Sequence, residues 1–572
     1  MKKLLALVLA LVMSMSLVTI SNAAFKDADS IDYKEAVDVM NAVGVFIGDE
    51  KGNFNAKENL TREQAAKIIA YLELGSKAAD ALVGGATFTD VASTRWSAGF
   101  VGYCAQAGIV SGVGDSKFDP AGQLTALQFG KMLLVELGYD AKAEGMVGTD
   151  WAINTSKLMA GTKLMDGISG SVNQVLTREK AAQMCLNALE APTVEYTTKG
   201  SSISVNGAEI NLGASEPSYV TNTIAKEQTI SSEKLTNNGG YTIELGEKLY
   251  KNLKKISTTD DFGRPATKWT WKSESVGTYA DAADLSYTKA VKAGDIYKDL
   301  NLSDTVAAKN VTVWVNGEQV SAASLDIKKG SETKIGAKLY DDKNGTNGNG
   351  VLTEVFYDDV ADTMVITQIV TYIGEVAKTV KATDKRDAYV VITAKTGDNN
   401  AYTMPKDSKG IKASPLEFET DETFADDTYV LYTYSFKAEA VKSLAAAEKV
   451  EGYVTKTINS AKDEDKNNGM TIAGTEYKMS LATAGEKLGN VSVKNDYTVY
   501  LDQYGYIIYV EQVQELGNYA LVLATASKGS FIGNKAQLLL TDGTVKFVDT
   551  DENYASGTKK IPNNTIVTFR EN

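Results

Sequence analysis

The sequence predicts a multidomain chain with an all-α N-terminal third, followed by tandem small all-β modules of barrel or sandwich type. Three observations carry this. Residues 25–190 repeat with helical periodicity. After Ala191-Pro192 the texture changes to alternating runs of Val, Ile, Tyr and Thr broken by Gly, Asn and Asp, which is strand-and-turn chemistry. And 572 residues exceed one domain at roughly 100–200 residues each.

Composition narrows the function classes. Apolar residues at 43% are enough to build cores. The chain has no His, which removes Ser-His-Asp triads, His-ligated zinc or haem and an imidazole base. Two Cys rule out a disulfide scaffold or a Cys-rich metal site. With 59 Lys+Arg against 73 Asp+Glu, the formal charge of −14 disfavours nucleic acid and anionic lipid, both of which demand a basic face. No catalytic residues are assigned, and the chain reads as a non-enzyme.

The first element is a secretion signal, residues 1–23. Lys2 and Lys3 precede an apolar run from Leu4 to Ile20, and Ser21-Asn22-Ala23 supplies small residues for cleavage after Ala23. The run is shorter than the ~20 residues a spanning helix needs, so no membrane association is expected after cleavage.

Three helical units follow: 24–80, 81–142 and a degenerate 143–192. Unit one reads Phe25-Lys26-Asp27, Gly44-Val45-Phe46-Ile47-Gly48, then Leu60-Thr61-Arg62-Glu63-Gln64. Unit two reads Phe88-Thr89-Asp90-Val91, Trp96, Gly108-Ile109-Val110-Ser111-Gly112, Phe118-Asp119-Pro120 and Leu124-Thr125-Ala126-Leu127-Gln128. Unit three keeps Trp151, Lys163-Leu164-Met165-Asp166-Gly167 and Leu176-Thr177-Arg178-Glu179. Gly44 to Thr61 and Gly108 to Thr125 both span 17 residues, and Trp96 to Gly108 and Trp151 to Lys163 both span 12.

Local chemistry explains each unit. Trp96, Phe100, Val101, Cys104 and Ala107 fall on one face of a first helix, which Gly108 ends. Thr61, Thr125 and Thr177 cap a second helix, and Gln64 and Gln128 complete capping boxes where Lys180 does not. Asp27 and Asp90 stand just before the first helix, where its dipole favours a carboxylate. Cys104 and Cys185 read as two buried apolar residues rather than a bridge.

Phe-x-Asp-Val, a Trp, Gly-Ile-Val-x-Gly, Phe-x-Pro and Leu-Thr-Arg-Glu in threefold array resemble S-layer homology domains, over about a third of the chain. The resemblance implies a pseudo-threefold helical bundle. Its grooves would bind secondary cell-wall polysaccharide, often pyruvylated. It points to Arg62 and Arg178 as carboxylate ligands and to Trp96 and Trp151 as sugar platforms. Asp27, Asp90, Gly48 and Gly112 complete the expected polysaccharide-binding set. Each Trp can equally be a core residue, and each Arg can equally pair with a nearby acid. Ala126 replaces the second Arg, Asp32 stands where unit one should have Trp, and unit three lacks the Phe-x-Asp opening. Only some of the grooves are therefore expected to be competent.

The β part divides into a region 193–370 and modules 371–450, 451–514 and 515–572. Ser204-Val205-Asn206-Gly207 and Trp314-Val315-Asn316-Gly317 are hairpin signals, since Asn-Gly suits a type I′ turn. Key strands starting at Asp427, Asp496 and Asn564 recur at intervals of 69 and 68 residues. Each follows an opening strand near Gly374, Gly452 or Tyr519. Since the last key strand closes the sequence, either the chain continues or that strand pairs with another molecule.

Asp341–Gly350 resembles a calcium loop, but the EF-hand register fails: Asn347 holds the place of the required Gly. It reads as an Asx/Gly turn, with a looser calcium site as the alternative, and no cofactor is assigned. Asp463–Gly469 reads as a polar loop. The resulting expectation is a secreted, wall-held structural surface protein, self-associating in a lattice. An anchored adhesin or an extracellular glycan-active enzyme is the alternative.

Overall fold

The computed structural model describes residues 25–572 except 85–87, 199–200, 206–207, 213–214, 223–229, 231–233, 236–239, 290, 321–347, 384, 396–414, 459–468, 486–490, 494, 513–517, 527–533, 551–560 and 570–572. The expected secretion signal, most of the calcium-like loop and most of the 463–469 run therefore lie outside the described residues. Among those described, two compact units form. One holds the residues up to Leu285 with Lys309–Val320 and Glu354–Thr367, and the other holds the remainder. No helix among the described residues is long and apolar enough to cross a membrane.

Six longer helices, with a short one at Ser76–Asp80, are described in the N-terminal part of the first unit: α1 Lys34–Ala42, α2 Arg62–Leu74, α3 Ala98–Gln106, α4 Ala126–Glu136, α5 Trp151–Gly161 and α6 Arg178–Glu190. Thr61 and Thr125 each accept the N–H of the Gln three residues on, and that Gln side chain returns to the cap backbone. Thr177 caps without a side-chain bond, and its hydroxyl is buried and unpartnered. Gly44 and Gly108 take φ of +82° and +75° where α1 and α3 end. In the third copy Lys163 must adopt φ +54° at the same place, which a side chain tolerates poorly.

The second helices start around a shared ring. Leu60 N–H donates to Leu176 O, Leu176 N–H to Leu124 O, and Leu124 N–H to Leu60 O, closing a cycle of three hydrogen bonds. The next residues repeat the pattern outward: Arg62 N–H reaches Gly122 O, Ala126 N–H reaches Gln174 O, and Arg178 N–H reaches Glu58 O. Each copy is thus tied at equivalent atoms to the copy beside it, including the third. Leu60, Leu124 and Leu176 are buried at the centre, so these backbone groups need partners that water cannot supply.

The core does not stop at Glu190. Strands β1 Ser201–Val205 and β2 Ala208–Leu212 pair as the first hairpin. Beyond them, β3 Leu253–Thr259, β4 Pro265–Trp271 and β5 Glu274–Ala280 form a meander. Trp269, Val276 and Tyr279 join the apolar cluster that fills the helical part. Trp269 Nε1–H donates to Glu35 at 2.6 Å and Tyr279 O–H to Asp38 at 2.8 Å, both on α1. The helical repeats and this sheet therefore share one interior. Strands β6 Val311–Val315 and β7 Glu318–Val320 make the second hairpin, with Asn316 at φ +48° and Gly317 at +82°, as an Asn-Gly I′ turn requires.

In the second unit three modules repeat one wiring. The opening strands are residues 371–380 of β8 Thr363–Val380, then β13 Glu448–Ile458 and β18 Asn518–Ala526. The key strands are β11 Tyr429–Ser435, β16 Asp496–Leu501 and β21 Ile566–Phe569. Each opening strand pairs antiparallel with its key strand. All three opening strands carry a register shift at matching positions, after Val376, Val454 and Val522. The modules' other strands are β9 Tyr389–Ala394, β10 Leu416–Glu419, β12 Ala440–Ala446, β14 Gly469–Ile472, β15 Thr475–Gly485, β17 Ile507–Gln512, β19 Lys535–Leu540 and β20 Val545–Asp549. The middle module closes as a five-stranded barrel, β13-β14-β15-β17-β16.

Candidate functional site

The site forms where one copy's second helix begins over the next copy's loop. Arg178, first residue of α6, sends its guanidinium across to copy one. Its Nε–H donates to Phe54 O at 3.0 Å and its Nη2–H to Ile47 O at 3.2 Å. The group lies over the Phe54 ring, 5.0 Å from its centroid. Arg62 repeats this over copy two: Nε–H to Phe118 O at 2.8 Å, Nη2–H to Ser111 O at 2.9 Å, and 4.6 Å from the Phe118 ring. Neither arginine makes an ion pair with an acid among the described residues. Partial burial lowers the pKa of both, and neighbouring acids offset this only in part. Each is a cation fixed by carbonyls and an aromatic face, with donor capacity left over.

Arg178 lines a cleft of about 330 Å³. The loop Val45–Asp49 forms one wall, Gln64, Lys67, Ile68 and Tyr71 of α2 another, and Trp96 of copy two closes the side. Trp96 is 53% exposed, touching Phe100 with ring centroids 6.2 Å apart. It precedes α3 instead of lying on its buried face, so the expected stripe starts at Phe100. Lys67 adds a second positive group, held 4.8 Å over the Tyr71 ring. Asp49 faces the same cleft, and hydrogen bonds from Asn53, Lys51 and Asn55 hold its carboxylate down at about 2, fixed as an anion.

At the second junction Trp151 is half-buried against the core cluster, and Lys131 sits 6.0 Å above its ring. At the third, Ala126 stands at the arginine's position and is buried. Asp32, at the tryptophan's position, is taken by Lys57 at 2.5 Å. All three candidate side chains of the first cleft thus change together at this junction, since Gln183 also holds the place of Lys67 and Lys131.

The other expected residues have structural partners. Asp27 and Asp90 do not serve the first-helix dipole. Each carboxylate accepts two backbone N–H groups from the loop ahead of the second helix, Phe54 and Asn55 for Asp27, Phe118 and Asp119 for Asp90, at 2.7–2.8 Å. Those loops carry the carbonyl and ring on which each arginine rests. Gly48 and Gly112 leave room for an aromatic ring: a Cβ on Gly48 would meet Phe25 at 3.0 Å, and one on Gly112 would meet Phe88 at 2.9 Å.

Two residues had no assigned role in the sequence reading. Glu63 accepts from both Arg95 Nε and Nη2 and from Ser97 Oγ, at 2.5–2.8 Å. Glu179 accepts from Asp32 N–H and from Lys57 Nζ. Both are buried and clamp the start of a first helix to a neighbouring second helix. Their place directly after Arg in Thr-Arg-Glu was the available signal. Cys104 and Cys185 are free, buried thiols whose pKa burial raises.

The S-layer homology domain family matches residues 24–66 and 87–128. The chain is 25% identical over 384 residues to a "Cell surface protein" of Thermoanaerobacter kivui, covering 63% of this chain and 46% of that one. It is 24% identical over 515 residues to a "Surface layer protein" of Brevibacillus choshinensis, covering 81% and 44%. A "Middle cell wall protein" of Brevibacillus brevis is 28% identical over 212 residues, covering 36% and 19%. The chain spans less than half the length of these relatives.

Proposed function

We propose, on the premise that this chain carries S-layer homology domains, that its N-terminal repeats tether a surface-layer protein to the bacterial wall by gripping an acidic secondary cell-wall polysaccharide. Secretion delivers the chain, the three copies form a pseudo-threefold bundle, and the β modules face outward in a lattice. The observation that carries this reading is Arg178: a fixed guanidinium in a cleft with Trp96 and Lys67, making no ion pair among the described residues although Glu58 and Asp49 also line the cleft. A guanidinium with free donors matches a carboxylate bidentately, as a ketal-linked pyruvate on a sugar would present. The exposed indole face beside it suits the flat apolar side of a pyranose. Loop carbonyls and Asp49 supply acceptors for sugar hydroxyls. The role is structural, with no reaction assigned.

Arg62 supports a second subsite, while Ala126 and Asp32 argue against a third. The test is co-sedimentation of the full chain with native walls and with walls stripped of secondary polysaccharide. The full chain is needed because Trp269 and Tyr279 belong to the helical core. Stripping is expected to abolish sedimentation. Arg62→Ala with Arg178→Ala is expected to weaken it by roughly 10–100-fold, the worth of one to two charge-assisted hydrogen bonds. Unchanged sedimentation of a folded double variant rejects the assignment.

A further inference from the structure

The first and second junctions carry equivalent lysines on different supports. Lys67 of α2 and Lys131 of α4 each stand six residues after the cap threonine. At the first junction three rings run in contact from the interior to the surface. Tyr71 meets Phe100 edge-on with centroids 5.9 Å apart, and Phe100 meets Trp96 at 6.2 Å. Tyr71 and Phe100 are buried, and the Tyr71 hydroxyl donates to Asp80 at 2.5 Å. Lys67 rests on these two inner rings, 4.8 Å from the Tyr71 centroid and 5.8 Å from that of Phe100. Trp96, outermost of the three, is more than half exposed.

The second junction lacks this ladder. Val135 stands at the place of Tyr71, ten residues after the cap, and Thr155 at that of Phe100, four after the tryptophan. Thr155 is buried with its hydroxyl unpartnered, filling the place without offering a ring. Without those rings beneath it, the lysine lies on the tryptophan instead. Lys131 Nζ is 6.0 Å over the Trp151 ring, which itself packs on the core cluster. Burial lowers the Lys131 pKa, as it must for an ammonium that has given up part of its hydration. At the third junction Gln183, Asn187 and Ala36 hold these places, so neither lysine nor ring is present there.

We propose that the rings beneath each lysine decide what it does to a bound sugar: Tyr71 and Phe100 are positioning residues that hold Lys67 off the indole of Trp96, whereas Lys131 covers Trp151 and competes with the sugar for its face. The inference rests on the wall-binding reading above and sharpens it. The first cleft offers an open stacking face with an ammonium beside it. The second offers Arg62, but a pyranose stacking there must first displace a cation already held by the ring.

Two measurements on the full chain test this. Hydroxyl-radical footprinting, read by mass spectrometry of the tryptophan peptides, needs no ligand. Lys131→Gln is expected to raise labelling of Trp151 at least ~twofold, as loss of a cation–π contact uncovers the ring. Tyr71→Val should lower labelling of Trp96 as Lys67 falls onto it, and Tyr71→Phe, which keeps the ring, should leave it at the wild-type level. Unchanged labelling of Trp151 in Lys131→Gln overturns the proposal. So does equal labelling of Trp96 in the two Tyr71 variants when circular dichroism shows both folded.

Co-sedimentation with native walls is the second measurement. The equivalent substitutions should act in opposite directions: Lys67→Gln weakens retention and Lys131→Gln strengthens it, each by roughly 2–5-fold, the worth of one exposed cation contact. A merely structural role for the lysines would not reverse sign between copies. A wild-type chain that is retained, with losses at both lysines, overturns this proposal alone. A wild-type chain that native walls do not retain overturns the wall-binding reading and this proposal with it.

Discussion

At the start of α6, Arg178 crosses to the neighbouring copy, rests on Phe54 and borders a cleft that Trp96 closes. At the start of α4, Ala126 makes the same backbone bond to its own neighbour and carries nothing beyond Cβ. Asp32, where the tryptophan belongs, is occupied by Lys57. The two junctions share their scaffold and differ in the side chains a ligand would meet. Architecture and the proposed recognition are therefore separable in this fold. The ring of leucine hydrogen bonds survives in all three copies because burial demands it. The arginine and tryptophan are not needed for that ring, so their loss from one junction leaves the bundle standing.

This separation can be broken most severely at Glu63. It looks like part of the recognition motif, yet it is buried and accepts three hydrogen bonds from Arg95 and Ser97. Glu63→Ala should cost roughly 2–4 kcal/mol, the loss of charge-assisted bonds within a buried network. Calorimetry should show the helical unit melting about 5–10 °C lower. If melting is unchanged while wall binding falls, Glu63 belongs with the ligand and the division drawn here is wrong.

Much of the architecture was readable because its signals are short-range. Thr61 with Gln64 and Thr125 with Gln128 are boxes within one turn, and Asn316-Gly317 is a turn in two residues. The recurrence of opening and key strands was visible because each module reuses one pairing with one register shift. What sequence could not show is long-range. Asp27 serves N–H groups 27 and 28 residues away, and Arg178 lies on a loop 124 residues earlier. The sharing of Trp269 with α1, 234 residues from Glu35, likewise follows only from the packed core. Nothing in the local pattern near Trp96 tells an exposed platform from the first residue of a buried stripe, because a Trp one turn before Phe100 satisfies both.

The comparison sharpens at the tryptophans. Trp96 borders the described cleft and is mostly exposed, whereas Trp151 is half-buried and packs on the core. Trp96→Ala should reduce wall sedimentation several-fold, about 1–1.5 kcal/mol of lost ring contact, with little change in melting. Trp151→Ala should show the reverse weighting, a melting loss larger than the binding loss. Equal binding losses at both tryptophans would show that the second junction is as complete as the first.

The smallest effect concerns another difference between copies, at the far ends of the second helices. Leu72 and Ala188 occupy the positions eleven residues after their caps, whereas copy two has Glu136, also buried. Burial, with Glu73 nearby, pushes its carboxyl up to about 8, while Lys248 only partly counters this. The folded state therefore holds this proton more tightly than the unfolded chain, whose Glu titrates near its ordinary value of 4.5. By linkage, stability from this group is complete below about pH 4.5 and is lost as pH rises toward about 8. Glu136→Gln keeps the shape and removes the ionisation. It should match the wild type at pH 4 and melt higher than it at pH 8, the gain growing as pH rises between the two. A gain that is equal at both values would mean that the glutamate is already charged in the folded bundle. The acid would then be another fixed anion like Asp49, with its charge satisfied in place.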